Sequence, residues 1–386
     1  MHSVVEKFLL HFVDTSALHI FNETNIQYIS NCLFRNEERN NSMRDSWGNW
    51  EFPFTQYPYQ EAYLDNYILN LLTQHGVKQK QIWPDNKKFA LCISHDVDFI
   101  VDHSFPEINR RIWKTLKFSN SLQEKILLPF ETAFGILKGI NPAKKETFLY
   151  DKWIDEIDKH GFKSTFFYFN RPSFSNLNFV DCDYRLSDRV TYRNTTCKVT
   201  DMIKEMHQSG FEIGLHGSYE THNNADMMRK QNEGLSEVIQ EEVVSSRQHW
   251  LKFDIHKTPS TIQNAGLLYD STLGFNRTIG FRAGTSYPYQ LTDEHCNALG
   301  VTELPMIIMD GALFKANSLE LNQEHAIQRS LLMMDEVEKV GGCLTLNFHP
   351  NYLTNPNYWN TFCAILDEAK RRNVFNGTMK EIMSLF

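Results

Sequence analysis

From residue 88 onward, short apolar stretches alternate with longer amphipathic stretches. The apolar stretches have the length of β-strands and lie at 91–98, 162–169, 211–216, 243–253, 267–275, 301–309 and 343–349. The amphipathic stretches repeat apolar residues at helical spacing and lie at 148–160, 199–208, 226–241, 258–266, 322–340 and 357–372. Strands that alternate with helices are typical of parallel βα units. This number of repeats predicts an α/β fold with a closed barrel rather than an open sheet.

Two further segments flank the first predicted strand. Residues 1–85 contain a predicted helix at 61–74 and no catalytic pattern, and we expect this N-terminal region to pack on the barrel or to recognise a partner. Residues 99–147 combine an excess of basic side chains with apolar faces. Such a helical insertion forms a lid over the mouth of a site or makes peripheral contact with a membrane surface. The sequence therefore predicts a barrel at 86–386 that carries this insertion.

Polar side chains stand at the C-terminal ends of several predicted strands, which is where barrel enzymes hold their active sites. Residues two apart on a strand share a face, so Asp96 and Asp98 point the same way. An isolated Asp-x-Asp is also explained by a buried salt bridge or a helix N-cap. The other strand ends contribute His216, Ser218, Arg247, His249, Asn347 and His349. One Asp and two His are a common ligand set for zinc or a similar divalent ion, with an open position for water.

Composition excludes some classes of function. The chain of 386 residues has 47 acidic and 39 basic side chains, and its net charge of −8 gives no electrostatic case for nucleic acid. No stretch is long and apolar enough to span a bilayer, and the N-terminus is a poor signal peptide. The seven cysteines are scattered without Cys-x-x-Cys pairs, which is typical of reduced thiols. We therefore expect a cytoplasmic location.

The order of these motifs resembles the NodB-homology polysaccharide deacetylase superfamily of metal-dependent carbohydrate esterases and amidases. The resemblance covers roughly residues 88–386 and rests on the segments 94–98, 163–167, 212–218, 246–249 and 346–350. It implies a distorted (β/α)₇ barrel with an N-terminal extension and the insertion after the first strand. It also implies a catalytic base and a metal-binding Asp in the first motif, and a general-acid His in the last.

Two departures from the family pattern concern the metal site. Val97 separates two aspartates that are usually adjacent, although the spacing keeps both carboxylates on one face. The usual second metal histidine lies four residues after the first, and that position is Glu220 here. His249 and Glu220 are rival replacements, and we favour His249 because it would point into the barrel beside Arg247.

These considerations lead to a set of expected roles. Asp96 is the predicted base, His349 the predicted acid, and Arg247 the residue that orients Asp96. The predicted metal ligands are Asp98, His216 and His249, with zinc as the most plausible divalent metal. The predicted substrate contacts are Arg282, Ser218, Tyr219 and Asn347, with Arg282 facing an anionic sugar or a lipid-linked phosphate unless its loop is only structural. Asp310 either orients His349 or caps a loop.

The predicted function is removal of an acetyl or other acyl group from an N-acetylated sugar, such as a polysaccharide precursor or glycan, by metal-activated water. Two alternatives stay open from the sequence. The same site would serve the hydrolysis of a C–N amide bond outside carbohydrate. A degenerate, non-catalytic sugar-binding module in polysaccharide biosynthesis would explain the missing second histidine.

Overall fold

The computed structural model describes residues 2–100, 112, 116, 125–130, 132–133, 150–170, 181–182, 184–352 and 355–386. Most of the predicted insertion at 99–147 lies outside these residues, and so does its predicted role as a lid or membrane contact. In the described part of the chain, no helix has both the length and the apolar character needed to cross a membrane.

Twelve strands are present in the described residues. They are β1 (Ala90–Val97), β2 (Ser164–Tyr168), β3 (Arg189–Tyr192), β4 (Thr195–Lys198), β5 (Glu212–Gly217), β6 (Ser245–Gln248), β7 (Tyr269–Asp270), β8 (Tyr289–Thr292), β9 (Ala298–Glu303), β10 (Ile308–Met309), β11 (Cys343–Asn347) and β12 (Phe375–Asn376). The main sheet has the order β10-β11-β1-β2-β5-β6-β7-β9-β8, and its strands are parallel except for β8. Strand β1 is buried along its whole length because its neighbours and the surrounding helices cover it.

The sheet curls until its two ends meet through one distorted stretch, from β9 to β10. This stretch pairs with β7 at its beginning and with β11 at its end. Between the two pairings, the Met306 N–H donates to the Leu273 carbonyl at 3.2 Å, and the Ile307 N–H donates to the Thr345 carbonyl at 3.2 Å. The predicted distorted (β/α)₇ barrel is therefore confirmed, with an irregular seam at 304–307.

The helices of the described residues cover the outside of the barrel and its N-terminal extension. Outside the insertion at 99–147 they are α1 (Ser3–Leu9), α2 (Glu23–Leu33), α3 (Asn36–Arg39), α4 (Tyr63–Gln74), α5 (Tyr150–His160), α6 (Val199–Gln208), α7 (Ala225–Ile239), α8 (Thr258–Asn264), α9 (Asp310–Phe314), α10 (Gln323–Val340), α11 (Pro356–Arg371) and α12 (Met379–Met383). Helix α5 shows why they form. Its buried residues Tyr150, Trp153, Ile154 and Ile157 repeat at helical spacing, so one stripe faces the core.

Two predicted strands are shorter in the structure than in the sequence analysis. The strand predicted at 243–253 ends at Gln248, and a single 3₁₀ turn, His249–Leu251, follows it. The strand predicted at 267–275 is reduced to β7, because the Asp270 side chain accepts the Thr272 N–H at 3.1 Å and turns the backbone out of the ladder. Both strands end early at polar residues, and both ends lie at the rim of the barrel.

The N-terminal region shares one hydrophobic core with the barrel. Buried residues of α1, α2 and α4 belong to the same cluster as those of β1 and β11. The Leu64 N–H donates to the Gly284 carbonyl at 2.8 Å. Gly284 has φ +74°, and a Cβ atom there would lie 2.3 Å from the ring of Tyr63, so only glycine permits this approach. The region therefore packs on the barrel, and a domain boundary at residue 85 stays a prediction.

Candidate active site

A cluster of possible metal ligands lies at the C-terminal rim of the barrel. Asp98 directly follows β1, His216 lies in β5, and His249 directly follows β6. The Nε2 atoms of His216 and His249 lie 3.3 Å and 3.5 Å from the same oxygen, Asp98 Oδ1. Cys182 completes the group, and one ligand atom from each of the four residues lies within 4.8 Å of those of the others.

The orientation of His216 is set by the backbone of the neighbouring strand. Its Nδ1 lies 3.0 Å from the carbonyl oxygen of Arg247. A carbonyl oxygen only accepts, so Nδ1 carries the proton and Nε2 keeps a lone pair. That lone pair is directed at the cluster, as in metal-binding histidines whose other nitrogen donates to a carbonyl.

The spacing of these atoms fits a divalent metal. The Nε2 atom of His216 is buried and has no hydrogen-bond partner among the described residues, although it lies beside Asp98. Zinc bonds to oxygen and nitrogen at about 2.0–2.2 Å, which puts two ligands of one tetrahedral ion about 3.3–3.6 Å apart. The two distances from Asp98 Oδ1 lie within this range. Asp98, His216 and His249 are therefore the residues that could hold a metal.

Charge is consistent with a cation-binding carboxylate at Asp98. Burial alone would raise the pKa of Asp98, but the facing imidazoles of His249, His216 and His349 lower it overall. Asp98 is thus ionised at neutral pH and faces three imidazole nitrogens, those of His216, His249 and His349.

Asp96 has a different environment from Asp98. Its Oδ1 accepts from Arg247 Nη1 at 3.0 Å, and its Oδ2 accepts from Asn347 Nδ2 at 2.7 Å. Burial would raise the pKa of Asp96, but the Arg247 guanidinium and the two nearby histidines keep it below its usual value. Asp96 is therefore a fixed, ionised carboxylate at the cavity wall.

Arg247 is itself held rigidly. Its guanidinium is fully buried, donates to Ser94 Oγ at 2.8 Å and to the Ser271 carbonyl at 2.7 Å, and lies 4.6 Å from the ring centre of Phe167. The inward face of β6 thus delivers a permanent positive charge to Asp96. The orienting role of Arg247 stays a prediction.

His349 follows β11 and is oriented by Asp310, the first residue of α9. Its Nδ1 lies 2.6 Å from Asp310 Oδ1, and its backbone N–H donates to Asp310 Oδ2 at 2.7 Å. Its Nε2 faces the cluster, 3.7 Å from Asp98 Oδ2. Burial would lower the pKa of His349, but Asp310 in particular raises it to about 9. His349 is therefore protonated at neutral pH.

These groups open into a cavity of about 390 Å³. Trp47 of the N-terminal region forms part of the cavity wall. Its ring stacks on that of Trp250 in the barrel, with ring centres 4.9 Å apart and an interplanar angle of 16°. Trp47 remains 38% exposed. Lys315 and Tyr352 also line the cavity, and Lys315 Nζ lies 5.1 Å from the ring centre of Tyr352. The cavity therefore combines aromatic faces with polar groups, as sites for sugars require.

The predicted substrate contacts are placed less simply. Asn347 contacts Asp96 rather than the open cavity. Ser218 is buried, and its backbone N–H donates to Gln231 Oε1 at 3.2 Å. The Tyr219 hydroxyl donates to the Trp47 carbonyl at 2.7 Å. Among the described residues, Ser218, Tyr219 and Asn347 lie close to the site without lining the cavity. Their role in substrate binding stays a prediction.

The structure does not bring Arg282 to the site. Its Nη2 lies 2.6 Å from Glu38 Oε1, and its Nη1 donates to the Gly274 carbonyl at 3.0 Å. The guanidinium is buried and already paired, so no charge is left for an anionic sugar or phosphate. The prediction for Arg282 is corrected on this ground. Glu220, the rival metal ligand, is exposed and lies outside the ligand group.

Sequence reasoning missed three contributors to the site. Cys182 and Asp181 come from a segment without strand or helix pattern, and Trp47 comes from the N-terminal region. Asp181 Oδ1 accepts the Tyr219 N–H at 2.6 Å and lies 3.7 Å from His249 Nδ1. The adjacent Asp and Cys were the one signal available, because both residue types bind metals.

Comparison with known proteins finds similar solved structures only at low identity. No protein-family model and no curated protein matches the chain. A Mycobacterium smegmatis protein provisionally described as a polysaccharide deacetylase is 20% identical, with 78% of this chain and 91% of that chain covered and a TM-score of 0.48. The Puue allantoinase is 13% identical, with coverages of 78% and 91% and a TM-score of 0.45. A CE4 family pseudoenzyme from Bacillus anthracis is 13% identical, with coverages of 77% and 66% and a TM-score of 0.36.

Proposed function

We propose that this protein is a metal-dependent hydrolase that removes the acetyl group from an N-acetylated sugar. The observation that carries the proposal is the ligand cluster of Asp98, His216 and His249, with an ionised carboxylate and a protonated imidazole beside it. Zinc is the metal that this mixture of carboxylate and imidazole ligands fits best. A bound divalent ion supplies two things to the reaction, an acidified water and a polarised acyl carbonyl.

Asp96 is the proposed general base. It has to be ionised to accept a proton from the attacking water, and the paired Arg247 guanidinium keeps it so. The bonds from Arg247 and Asn347 fix both of its oxygens, so the carboxylate does not rotate away from the cavity. Asp96 serves the base role better than Asp98, because Asp98 is directed at the imidazoles.

His349 is the proposed general acid. An amine leaves poorly unless it is protonated, and a histidine with its pKa raised to about 9 holds that proton at neutral pH. Asp310 accepts from Nδ1, so the proton available for transfer is on Nε2, which faces the cluster. Acid and base assistance of this kind contributes about 10²–10⁴-fold to the rate.

The aromatic wall supports a carbohydrate substrate over other amides. Sugars present flat apolar C–H faces that pack on aromatic rings, and the exposed face of Trp47 provides such a ring at the edge of the cavity. The carbonyl of Trp47 accepts from Tyr219 and from Lys252 Nζ at 2.6 Å, which fixes the ring against the barrel.

The test combines metal content with release of free amine. The full-length protein is dialysed against zinc and assayed by elemental analysis and by amine detection on β-1,4 oligomers of N-acetylglucosamine. We expect one zinc per chain in the wild type and in Asp96→Asn, whereas turnover by Asp96→Asn falls by about 10²–10⁴-fold. Asp98→Asn should lose zinc, and Asp226→Asn on the exposed face of α7 should change neither property.

Three outcomes would contradict parts of the proposal. Full activity of Asp96→Asn would remove Asp96 as the base. A wild type that holds well below one zinc would favour the degenerate sugar-binding module. Turnover of a cyclic or linear amide outside carbohydrate, without turnover of the oligomers, would replace the substrate class and leave the site chemistry in place.

A further inference from the structure

We propose that Cys182 is a fourth protein ligand, which makes the centre an Asp–Cys–His–His site selective for zinc or cobalt over manganese or magnesium. This inference rests on the proposed function, since it concerns the same metal. It goes beyond the Asp–His–His set that the sequence motifs predict, and it assigns a chemical role to a thiol that sequence reasoning counted among the scattered cysteines.

The first observation is the position of the sulfur. Cys182 Sγ lies 3.9 Å from Asp98 Oδ1, the oxygen that also lies 3.3 Å from His216 Nε2 and 3.5 Å from His249 Nε2. Zinc–sulfur bonds are about 2.3 Å long, so a thiolate and an oxygen on one tetrahedral ion are separated by about 3.6 Å. Three distances from one Asp98 oxygen thus approximate three edges of a single tetrahedron.

The second observation is independent of the cysteine. His216 is only 1% exposed, and its Nε2 has no hydrogen-bond partner among the described residues. Its lone pair is directed into the space that Cys182 also borders, because the Arg247 carbonyl holds the other ring nitrogen. A buried nitrogen without a partner is costly unless something fills that space. A metal ion shared with the sulfur meets this requirement.

The surroundings of Cys182 also differ from those of an inert core thiol. A structural cysteine is surrounded by apolar side chains, where it acts as a small hydrophobic residue. Cys182 is 4% exposed but lines the cavity, with a carboxylate and two imidazoles as neighbours in the ligand group. Ligation deprotonates a thiol outright, and the resulting thiolate is the soft donor that zinc and cobalt prefer over manganese and magnesium.

A fourth protein ligand has a consequence for the reaction. Catalytic zinc sites keep one position open, and four-coordinate sites made only of protein ligands are closed. If Cys182 is the fourth protein ligand, water would have to bind in addition to it or in its place. Replacing Cys182 by serine puts a weaker oxygen donor of similar size in place of the sulfur. The variant therefore tests the effect of the thiolate on metal preference without a large change in the shape of the site.

The experiment is a titration of the metal-free, full-length protein with Co²⁺, followed by absorption spectroscopy. A thiolate ligand gives a sulfur-to-cobalt charge-transfer band in the near ultraviolet. We expect this band at one Co²⁺ per chain in the wild type and its loss in Cys182→Ser. We also expect zinc affinity to fall by at least about 10-fold in Cys182→Ser, while manganese affinity changes by less than about 3-fold. The matched control is Cys197→Ser, in the partly exposed strand β4, which should leave both readouts unchanged.

A second measurement needs no variant. Bound zinc should slow iodoacetamide alkylation of Cys182 by at least about 10-fold and leave the alkylation of Cys197 unaffected, as read by mass spectrometry of the peptides.

The outcomes distinguish this inference from the proposed function. Stoichiometric Co²⁺ binding without the charge-transfer band, together with unprotected Cys182, would overturn the thiolate ligand and leave the Asp–His–His hydrolase in place. A wild type that binds neither zinc nor cobalt would overturn both. A Cys182→Ser variant that fails to fold, judged by circular dichroism, leaves the decision to the wild-type band and the alkylation rates.

Discussion

Asp96 lies near the end of β1 and Asp98 directly follows the strand, yet their neighbours give them different chemistry. Arg247 and Asn347 donate to Asp96, so its charge is balanced by a fixed cation. Asp98 faces the imidazoles of His216 and His249 at 3.3 Å and 3.5 Å. The carboxylate that the guanidinium holds in place is the proposed base, whereas the one that faces imidazole nitrogens is suited to share a metal with them.

A first prediction concerns Asp310. Its contact raises the pKa of His349 to about 9, so His349 remains a proton donor until the pH approaches that value. Asp310→Asn keeps the shape but removes the charge, and the pKa of His349 should fall towards 6.5. The alkaline limb of the kcat/KM profile should therefore move down by at least about one pH unit. Zinc content should not change. An alkaline limb at the wild-type position would show that another group is the acid.

A second prediction concerns His95, which lies on the outward face of β1 against Phe166 and Trp153. Burial lowers the pKa of His95 from 6.5 to about 4, even though its Nδ1 contacts the Phe348 carbonyl. Between pH 6.5 and 4 the unfolded chain binds a proton that the folded chain does not. The folded state is therefore stabilised at higher pH, and its free energy of unfolding falls by roughly 3 kcal/mol as the pH drops through this window.

The measurement for His95 is urea unfolding at several pH values. His95→Gln should reduce the pH dependence between pH 6.5 and 4, and His295→Gln on the surface should not. Because burial also lowers the pKa of His11 to about 4, some slope should remain in the variant. His349 does not contribute here, since it is protonated in both states below pH 6.5. Parallel curves for wild type and His95→Gln would contradict the prediction.

At the scale of elements, the strands built on apolar runs were predictable and the short polar strands were not. Strands β1, β5 and β11 carry apolar runs with polar side chains near or directly after their C-terminal ends, so their positions and inward faces follow from the sequence. β6 and β7 are short and polar, and side-chain bonds to the backbone replace the ladder there. The periodicity of apolar residues along the chain does not show where side-chain hydrogen bonds replace those of the ladder.

The same limit explains the errors and omissions at the site. The proposed ligands His216 and His249 lie at or directly after strand ends and could be found, whereas Cys182 lies in a segment without periodicity. Arg282 looked available because a sequence does not reveal a partner 244 residues away, Glu38. Long-range pairing of this kind is fixed by packing of the whole chain, and only the structure shows it.

The loop of the N-terminal region that carries Trp47 and Asn49 contacts Trp250 of the barrel beside the site. Trp250 follows the proposed ligand His249 and has φ 59°, a backbone conformation that costs a non-glycine residue energy. Its carbonyl accepts from Asn49 Nδ2 at 3.1 Å and from Asn276 Nδ2 at 3.0 Å, while its ring stacks on Trp47. The loop thus holds the residue next to a ligand and presents an aromatic face to the cavity.

A third prediction follows from this loop. Trp47→Ala removes the exposed ring, so KM for the tetramer of N-acetylglucosamine should rise about 10-fold, equivalent to about 1.4 kcal/mol of lost stacking. The KM for the monomer and the kcat should stay close to wild type, because Asp96 is held by Arg247 and Asn347 and His349 by Asp310, not by this ring. Trp47→Phe should restore most of the affinity for the tetramer. Equal losses for monomer and tetramer would instead indicate disturbance of His249.

At the scale of the whole molecule, a buried charge cluster joins the N-terminal region to the barrel. Glu38 of α3 is fully buried and lies 3.1 Å from Arg35 Nη2 and 2.6 Å from Arg282 Nη2. Arg35 Nη1 also donates to the carbonyl of Arg282. Burial would raise the pKa of Glu38, but the two guanidiniums keep it low, so the carboxylate is charged. One carboxylate therefore pairs with cations from both parts of the chain.

The last prediction uses this cluster to test whether the two parts fold as one unit. Glu38→Gln leaves two guanidiniums buried without their counter-charge, so the free energy of unfolding should fall by about 3–5 kcal/mol. If the N-terminal region and the barrel share one core, urea unfolding should remain a single transition at a lower midpoint, with tryptophan fluorescence and circular dichroism coinciding. Asp226→Asn, which breaks an exposed pair with Arg229, should change the free energy by less than about 1 kcal/mol. Two separate transitions in Glu38→Gln, with the later one at the wild-type midpoint, would show that the barrel folds without its N-terminal region. In that case the loop that carries Trp47 would be a separable part of the site, and Asp98, His216 and His249 should still bind zinc after it is removed.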